Sequence, residues 1–514
     1  MRNISIMKAL MCVALLCGGV TSFAEIPVNY DASFIGSLGS KDLAPYYISS
    51  NNHGILTQGD NALLRGMAWK PLDTGRRFSY GFGVDFLTGY SNSAVYKRYE
   101  AVYYPENLNH NNSQHPARIW LQQLFGEIKY RGVFLTVGMK QHSSKMLNSY
   151  LSSGDLVESG NARPIPEVRA GFVDFQNIPF TNGWVQISGE ISYGKFTDND
   201  WVKNHYNYYN NHISTGQWYT YKRAYFRTNP DKPFSVTFGA QAAGQFGGTT
   251  EWYQNGRVYR TETRSANLGD MFEMFIPKLS DKEGFVAGNH LGSWDLIARY
   301  RLKNDDEIKA YFQWPWEDGS GIGKQNGFDG LWGIEYKSAN PALVNGAVIE
   351  YLDFTNQSGP IHWAPGDYPG TTLTAQATGR DDYYNNAYYN SYSNYGMAIG
   401  SPFLRSPIYN LDGYPAFVDN KVRGFHVGIS GNILKPLDYR FLASYRKSWG
   451  SASIPRLHAV EATSLMLEAG YKVAKVPGLN LKAQVAMDFG KLYGDNFGVC
   501  VTISYNGLLK IGKK

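Results

Sequence analysis

The sequence predicts an all-β fold, a transmembrane up-and-down antiparallel β-barrel of about 18 strands with long external loops and short periplasmic turns. Three observations carry this. Segments of ten or so residues alternate large apolar with small or polar side chains, tight turns and long loops take turns joining them, and the composition is rich in Tyr (38), Phe (27), Trp (12) and Gly (55). A hydrophobic share of 43% against 18% charged residues excludes a disordered chain. A mean hydropathy of -0.36, with no long apolar run beyond the N-terminus, excludes a bundle of membrane-spanning helices.

Residues 1–24 read as a secretory signal peptide: Arg2 and Lys8 precede an apolar run from Ala9 to Val20, which ends at Ser22-Phe23-Ala24 before Glu25. Lipid modification at Cys17 is the alternative, and Leu15-Leu16 stands where small residues are wanted for it. The mature chain keeps one thiol, Cys500, which excludes an internal disulfide and a cysteine-based metal site.

The period-two segments include Phe78 to Phe86, Val133 to Met139, Val185 to Tyr193, Trp294 to Leu302, Leu479 to Phe489 and Phe497 to Tyr505. About ten residues, tilted by ~45°, span a bilayer core. Tight turns are expected at Arg131-Gly132, Asn229 to Lys232, Lys303 to Asp306, Leu434 to Pro436 and Lys475 to Pro477. Long joins fall at Tyr90 to Pro116, Gln141 to Ile165, Thr197 to Gly216, Gly247 to Asn289, Glu317 to Gly327 and Gln357 to Lys421. A sandwich has no reason to put every long loop on one side, whereas an outer-membrane barrel does. About 17 strands follow Asn61, and Tyr30 to Leu38 supplies the upward strand that makes the number even. The barrel is assigned to 25–505 and a short basic tail to 506–514, with Tyr505 ending the last strand.

Alternation turns the apolar faces to lipid and puts Asp85, Lys140, Glu190, Arg299, Arg301, Glu335, Arg440, Arg446, Glu468, Lys472, Lys482 and Asp488 in the lumen. Their mixed signs suggest ion pairs bracing a wide interior more than a selective pore, which gathers one sign. Tyr90, Tyr193, Trp316, Trp449 and Tyr505 are expected in the aromatic girdles.

The loops 96–112, 201–221 and 383–395 are saturated with Tyr and Asn. A Tyr ring offers a flat apolar face with a hydroxyl, and Asn offers donors and acceptors, which together suit sugar rings. The candidate carbohydrate-binding residues are Tyr206, Tyr208, Tyr209, Trp252, Tyr253, Trp363, Tyr383, Tyr388 and Tyr389. Arg260, Arg264 and Arg405, with Arg163 and Arg169, are candidate partners for acidic polysaccharide or lipopolysaccharide phosphate. Two alternatives stay open: such loops also pack over a barrel mouth, and Tyr/Asn surfaces also bind proteins.

The stretch Asp42 to Gly66 (DLAPYYISSNNHGILTQGDNALLRG), with FSYGFGVDFLTGY and GVFLTVGMKQ, resembles the Wzi-type capsule assembly proteins of Gram-negative bacteria in the form met in Bacteroidetes. The resemblance implies an outer-membrane barrel acting as a lectin, with helical elements at one end, that holds capsular polysaccharide at the cell surface. Expected partners are capsular or other surface polysaccharide, outer-membrane lipid including lipopolysaccharide, and other capsule export components, with no nucleic acid. No sugar-binding motif of the family fixes positions in this chain.

No zinc, phosphate-loop or nucleophile-elbow motif is present, and no cofactor is expected. Asp318 to Gly323 with Asp329 resembles a calcium loop but puts Ile322 at a ligand position, so it reads as a Gly-rich loop and no metal is expected. The leading expectation is a non-enzymatic surface lectin; the alternatives are a porin-like oligosaccharide or solute channel and, last, a barrel-rim hydrolase built on loop His residues.

Overall fold

The computed structural model describes residues 25–98, 110–275, 288–317, 319–360, 362–363 and 377–511. The barrel strands are β1 (Ile26–Gly39), β2 (Asn61–Lys70), β3 (Phe78–Ser91), β4 (Ile119–Tyr130), β5 (Val133–Met139) and β6 (Pro166–Phe172). After a break β6 resumes at Gln176–Asn177, and both pieces pair with β7 (Val185–Lys195). Then follow β8 (Trp218–Thr228), β9 (Phe234–Phe246), β10 (Asn289–Arg301), β11 (Glu307–Trp316), β12 (Gly330–Lys337) and β13 (Gly346–Asp353). The set ends with β14 (Val422–Leu434), β15 (Leu437–Gly450), β16 (Pro455–Lys472), β17 (Leu479–Phe489) and β18 (Asn496–Ile511). Each pairs antiparallel with its neighbours, and β1 closes on β18, giving an all-β barrel of 18 strands.

The closing seam is longer than the sequence suggests. β18 runs past Tyr505 to Ile511 because Asn506 to Ile511 keep pairing with Asp31 to Ile26, and Lys510 meets Glu25 at 3.2 Å. The expected basic tail is therefore mostly strand. Most joins fall as the alternation requires, but β15–β16 and β17–β18 are joined on the long-loop side by only 451–454 and 490–495.

Phe78, Val84, Phe86, Val133, Leu135, Val137, Leu296, Tyr300, Val485, Phe497, Val501 and Ile503 all stand exposed on the outer wall. So much contiguous apolar surface fits lipid, not water. Tyr90, Trp449 and Tyr505 are exposed among them. Trp316 is not part of a girdle: its ring is buried against Gly292. Outside the wall lies an amphipathic helix, Leu268–Phe275. Its backbone is tied to outward-facing Tyr193 (hydroxyl to the Met271 carbonyl, 2.6 Å) and Lys222 (ammonium to the Met274 carbonyl, 2.8 Å). Met274 fills the notch at Gly244, and Leu268, Phe272 and Phe275 point away, extending the apolar belt.

Inside, the barrel is filled from the long-loop end. The β1–β2 connection carries helix α1 (Tyr46–Ser49) into the lumen, where the Tyr46 N–H donates to Asp488 on β17 (2.8 Å) and the Tyr47 hydroxyl hydrogen-bonds His426 on β14 (2.8 Å). Tyr46, Tyr47, Ile48 and Leu151 pack with lumen-facing Leu63, Leu87, Val348, Met466 and Cys500, an apolar core where an open pore would be wet. The β5–β6 connection crosses the interior: the Asn148 amide donates to Glu335 on β12 (3.1 Å), the Ser152 hydroxyl to Glu350 on β13 (2.6 Å), and the Tyr150 hydroxyl to Glu468 on β16 (2.9 Å). Above it, Tyr383, Tyr384, Tyr392, Phe403 and Phe417 from the β13–β14 connection pack on Leu156 and Val157.

Candidate functional site

The charged residues assigned to the lumen pair mostly with acids or bases on adjoining strands. Arg65 grips Asp85 with two hydrogen bonds (2.9 and 2.6 Å), Lys140 reaches Glu127 (2.6 Å), and Arg299 and Arg301 share Glu307 (2.7 and 3.6 Å). Glu190 receives Arg169 (3.0 Å), Lys145 (2.8 Å) and Arg223 (3.1 Å), and Glu335 receives Lys309. Glu468 receives Arg440 (2.8 Å) and Lys482 (3.6 Å). Arg446 is stacked on Tyr46 (3.6 Å to the ring centre) and bonds Ser464 (2.8 Å), whose hydroxyl donates to Asp488 (2.6 Å). Buried charges need partners at this density, and nearly all of them find one within the wall or the inserted loops.

At the outer tip a small sheet of His212–Thr215, Gly248–Gln254 and Arg257–Arg264 stands on the β7–β8 and β9–β10 connections. Asn255-Gly256, both with positive φ, make its hairpin turn, the strongest short-range hairpin signal a sequence offers. This hairpin lies within the 247–289 join that the sequence analysis assigns to one long loop. A bulge leaves Tyr259 unpaired, so Arg260 pairs with Trp252 and Val258 with Tyr253, while Trp252 and Tyr253, consecutive on their strand, point to opposite faces.

The two faces therefore collect different aromatic groups. On one, Arg260 lies opposite Trp252 with its guanidinium 4.4 Å from the ring centre, and Arg264 lies 5.9 Å from the same ring. Arg264 also covers Tyr388 (4.5 Å), which meets Trp252 edge-on at 6.1 Å. Glu262 accepts from Arg260 (2.6 Å) and Arg264 (3.0 Å), and the Arg260 side chain remains 53% exposed. The Tyr388 segment is pinned by Ser214 and Thr250, whose hydroxyls donate to its carbonyl (2.8 and 2.7 Å). On the other face Tyr206, Tyr208 and Tyr253 cluster with ring centres 5.0 to 5.5 Å apart, and Arg98 covers Tyr208 at 4.8 Å. Tyr209 is half-buried beside them.

Other candidates are placed elsewhere. Tyr206, Tyr383 and Tyr389 are buried, so their rings serve packing and do not face a ligand. The Tyr383 hydroxyl donates to Asp329 (3.0 Å), which also accepts the Asn356 and Gln357 N–H groups. Asp329 is thereby engaged within the fold, and Asp318 lies outside the described residues. Among the described residues no cluster of His, Cys, Asp or Glu suits a metal ion. Arg405 is held by Asp419 (3.1 Å) and Asn410 (3.2 Å). Arg169 is not in a loop: it sits in β6, paired with Glu158, Glu167 and Glu190. Arg163 lies over Trp120 (4.8 Å) and Tyr395 (4.7 Å). The side chain of Trp363 lies outside the described residues.

The tip is tied to the barrel by helix α2 (Asn199–His205) in the β7–β8 connection. His205 stacks on Trp201 (4.5 Å), meets Tyr96 edge-on (4.6 Å) and hydrogen-bonds the Tyr414 carbonyl (3.2 Å). Burial pushes its imidazole down to about 4 and the Asp198 carboxyl up to about 6. The signs oppose. Stability linked to His205 is complete above ~6.5 and is lost as pH falls toward 4, roughly 3 kcal/mol over that window. Stability linked to Asp198 is complete below ~3.8 and is lost as pH rises through 6. The two nearly cancel between pH 4 and 6 in the native chain. In Asp198→Asn the His205 slope is expected to stand alone, with amide protection over 199–206 falling as pH drops from 7 to 4.5, after correction for intrinsic exchange. A flat profile in that variant would show that His205 is not held neutral by burial.

The closed strand set, the apolar belt and the filled lumen define an outer-membrane type of β-barrel. No protein-family model matches the chain, and no curated protein matches it by sequence. Among solved structures it is similar to Wzi, an Escherichia coli outer-membrane protein involved in group 1 capsule assembly and a carbohydrate-binding β-barrel, with a TM-score of 0.54 and 12% identity over 96% of this chain and 87% of that one. OccAB2 of Acinetobacter baumannii follows with a TM-score of 0.49 and 9% identity over 96% of this chain and 100% of that one. OccD3 of Pseudomonas aeruginosa has a TM-score of 0.45 and 9% identity over 96% and 93%. At these identities the likeness concerns the fold, and it gives no support to a Bacteroidetes assignment.

Proposed function

We propose that the protein is a surface lectin of the Gram-negative outer membrane, which binds capsular polysaccharide and helps attach or assemble the capsule without being an enzyme. The observation that carries this reading is the patch of half-exposed Trp252 and Tyr388 with exposed Arg260, backed by the buried Arg264 side chain and held above a filled barrel. A flat indole and phenol offer stacking faces for sugar rings, and the exposed Arg260 guanidinium beside them offers a charged, planar donor for a sugar carboxylate. The likeness to Wzi, itself a carbohydrate-binding barrel, supports the same reading. Other capsule export components are its natural partners, and the apolar belt is where outer-membrane lipid sits. The porin-like alternative needs a wet path, and the apolar core around Leu63, Leu87 and Val348 gives it little support.

Purified mature protein is expected to retain capsular polysaccharide from its own source saturably in a sedimentation assay. Trp252→Ala should weaken that binding by about 1–2 kcal/mol, roughly five- to thirtyfold, as for a partly buried aromatic anchor. Tyr383→Phe, in the packed interior, should leave it unchanged. Retention that is indifferent to Trp252 and Arg260 would remove the patch from the binding surface, and no retention at all would sink the lectin reading.

A further inference from the structure

A cavity of about 320 Å³ lies inside the barrel, away from the tip patch. Its roof is α1 with residues 149–153. Its wall includes Arg440 and Lys482, each close to the short-turn end of its strand. Lys482 is 44% exposed although the long-loop end is filled, so solvent reaches the cavity from the short-turn, periplasmic side.

Three cationic heads line this space, Arg65, Arg440 and Lys482, and no carboxylate does. The balancing acids stand behind them: Asp85 (0% exposed) holds Arg65, and a single Glu468 (4% exposed) is shared by Arg440 and Lys482. Asp31, nearby, accepts from Ser33 and does not line the cavity. A ligand would therefore meet the positive side of each pair. Ser33, Ser50, Thr502 and Gln484 add polar side chains to the lining. Ile35, Ile48 and Leu442 form an apolar wall among these groups. The space is at the small end of ligand pockets.

We propose that this cavity is a second, lumenal binding site for a carboxylated sugar of one or two rings, its carboxylate between Arg440 and Lys482, its hydroxyls among the polar side chains of the lining, and its C–H face on the apolar wall. The site does not rest on the tip patch, from which it is separated by the whole inserted layer.

The test titrates the full mature protein in detergent with D-glucuronate, D-glucose and inorganic sulfate, followed by calorimetry. Glucuronate is expected to bind saturably and at least about tenfold more tightly than either control. Lys482→Gln should weaken it about fivefold or more, and it removes no tight structural bond, since Lys482 stands 3.6 Å from Glu468. Trp252→Ala and Arg260→Gln should leave glucuronate affinity unchanged while impairing polysaccharide retention, so the two sites fail separately. Sulfate or glucose binding as well as glucuronate, loss of glucuronate binding in the tip variants in place of Lys482→Gln, or no saturable binding would each overturn the proposal.

Discussion

Arg169→Met is expected to be the most destabilising single substitution among those considered, at about 3–5 kcal/mol. The Arg169 side chain is 2% exposed and bonds Glu158 (2.5 Å), Glu167 (2.7 Å) and Glu190 (3.0 Å), with its guanidinium 4.8 Å from the Tyr221 ring centre. Removing it leaves three carboxylates crowded in a water-poor wall. Lys145 and Arg223 still hold Glu190 and His142 still contacts Glu167, so these two are partly compensated. Glu158 is different, because its described ion pair is with Arg169 alone, and Glu158 belongs to the inserted β5–β6 connection. The substitution therefore damages the wall and unclips the insert from it at once. Arg260→Met, on the exposed rim, should cost less than ~0.5 kcal/mol by comparison. Urea unfolding of the protein refolded in lipid measures both. A loss under ~1 kcal/mol for Arg169→Met would mean that the carboxylates protonate or rehydrate readily, and that the cluster is not a clamp.

The barrel was legible because lipid imposes a rule on the outer wall that no other environment imposes. Phe78, Val84 and Phe86 alternate with Ser79, Gly81, Gly83 and Asp85, and the first set is exposed while Ser79 and Asp85 are buried. The interior obeys no such rule. Leu63, Leu87, Val348 and Cys500 face inward yet form an apolar core, because α1 and Leu151 cover them there. Nothing in the strands alone says that a distant loop will arrive. The same cause limited the site. Tyr388 and Tyr389 are neighbours in one Tyr/Asn-rich loop, but Tyr389 is buried and Tyr388 meets Trp252, a difference set by which way the chain folds at the mouth. Arg169 and Arg260 likewise look alike in sequence, and only tertiary neighbours separate a clamp from a surface group. One signal was present and overlooked: Gln254-Asn255-Gly256-Arg257 between alternating residues announces the hairpin that builds the patch.

Deleting residues 146–157 and bridging the gap with a short Gly/Ser linker is expected to convert a closed barrel into a conducting one. Walls of 16–18 strands enclose an aqueous channel unless something fills it. The deleted stretch bonds strands on much of the circumference: Gln241 on β9 and Gln313 on β11 reach Asp155 (2.8 and 3.0 Å), Lys309 on β11 the Met146 carbonyl (3.1 Å), and Arg440 on β15 the Tyr150 carbonyl (3.1 Å). His426 on β14 hydrogen-bonds the Leu151 carbonyl (2.7 Å). Without it, Glu335 and Glu350 each lose a protein partner and regain water, while Leu151 and Val157 no longer seal the layers above and below. The wall keeps its backbone ladder, so the barrel should still fold. Planar-bilayer recordings should then give discrete conductance steps for the deletion and none for the intact protein. Steps from the intact protein would return the porin-like reading to first place. Silence from both would place the seal in α1 and the buried aromatic layer of Tyr383, Tyr384, Tyr392, Phe403 and Phe417, which the deletion leaves in position.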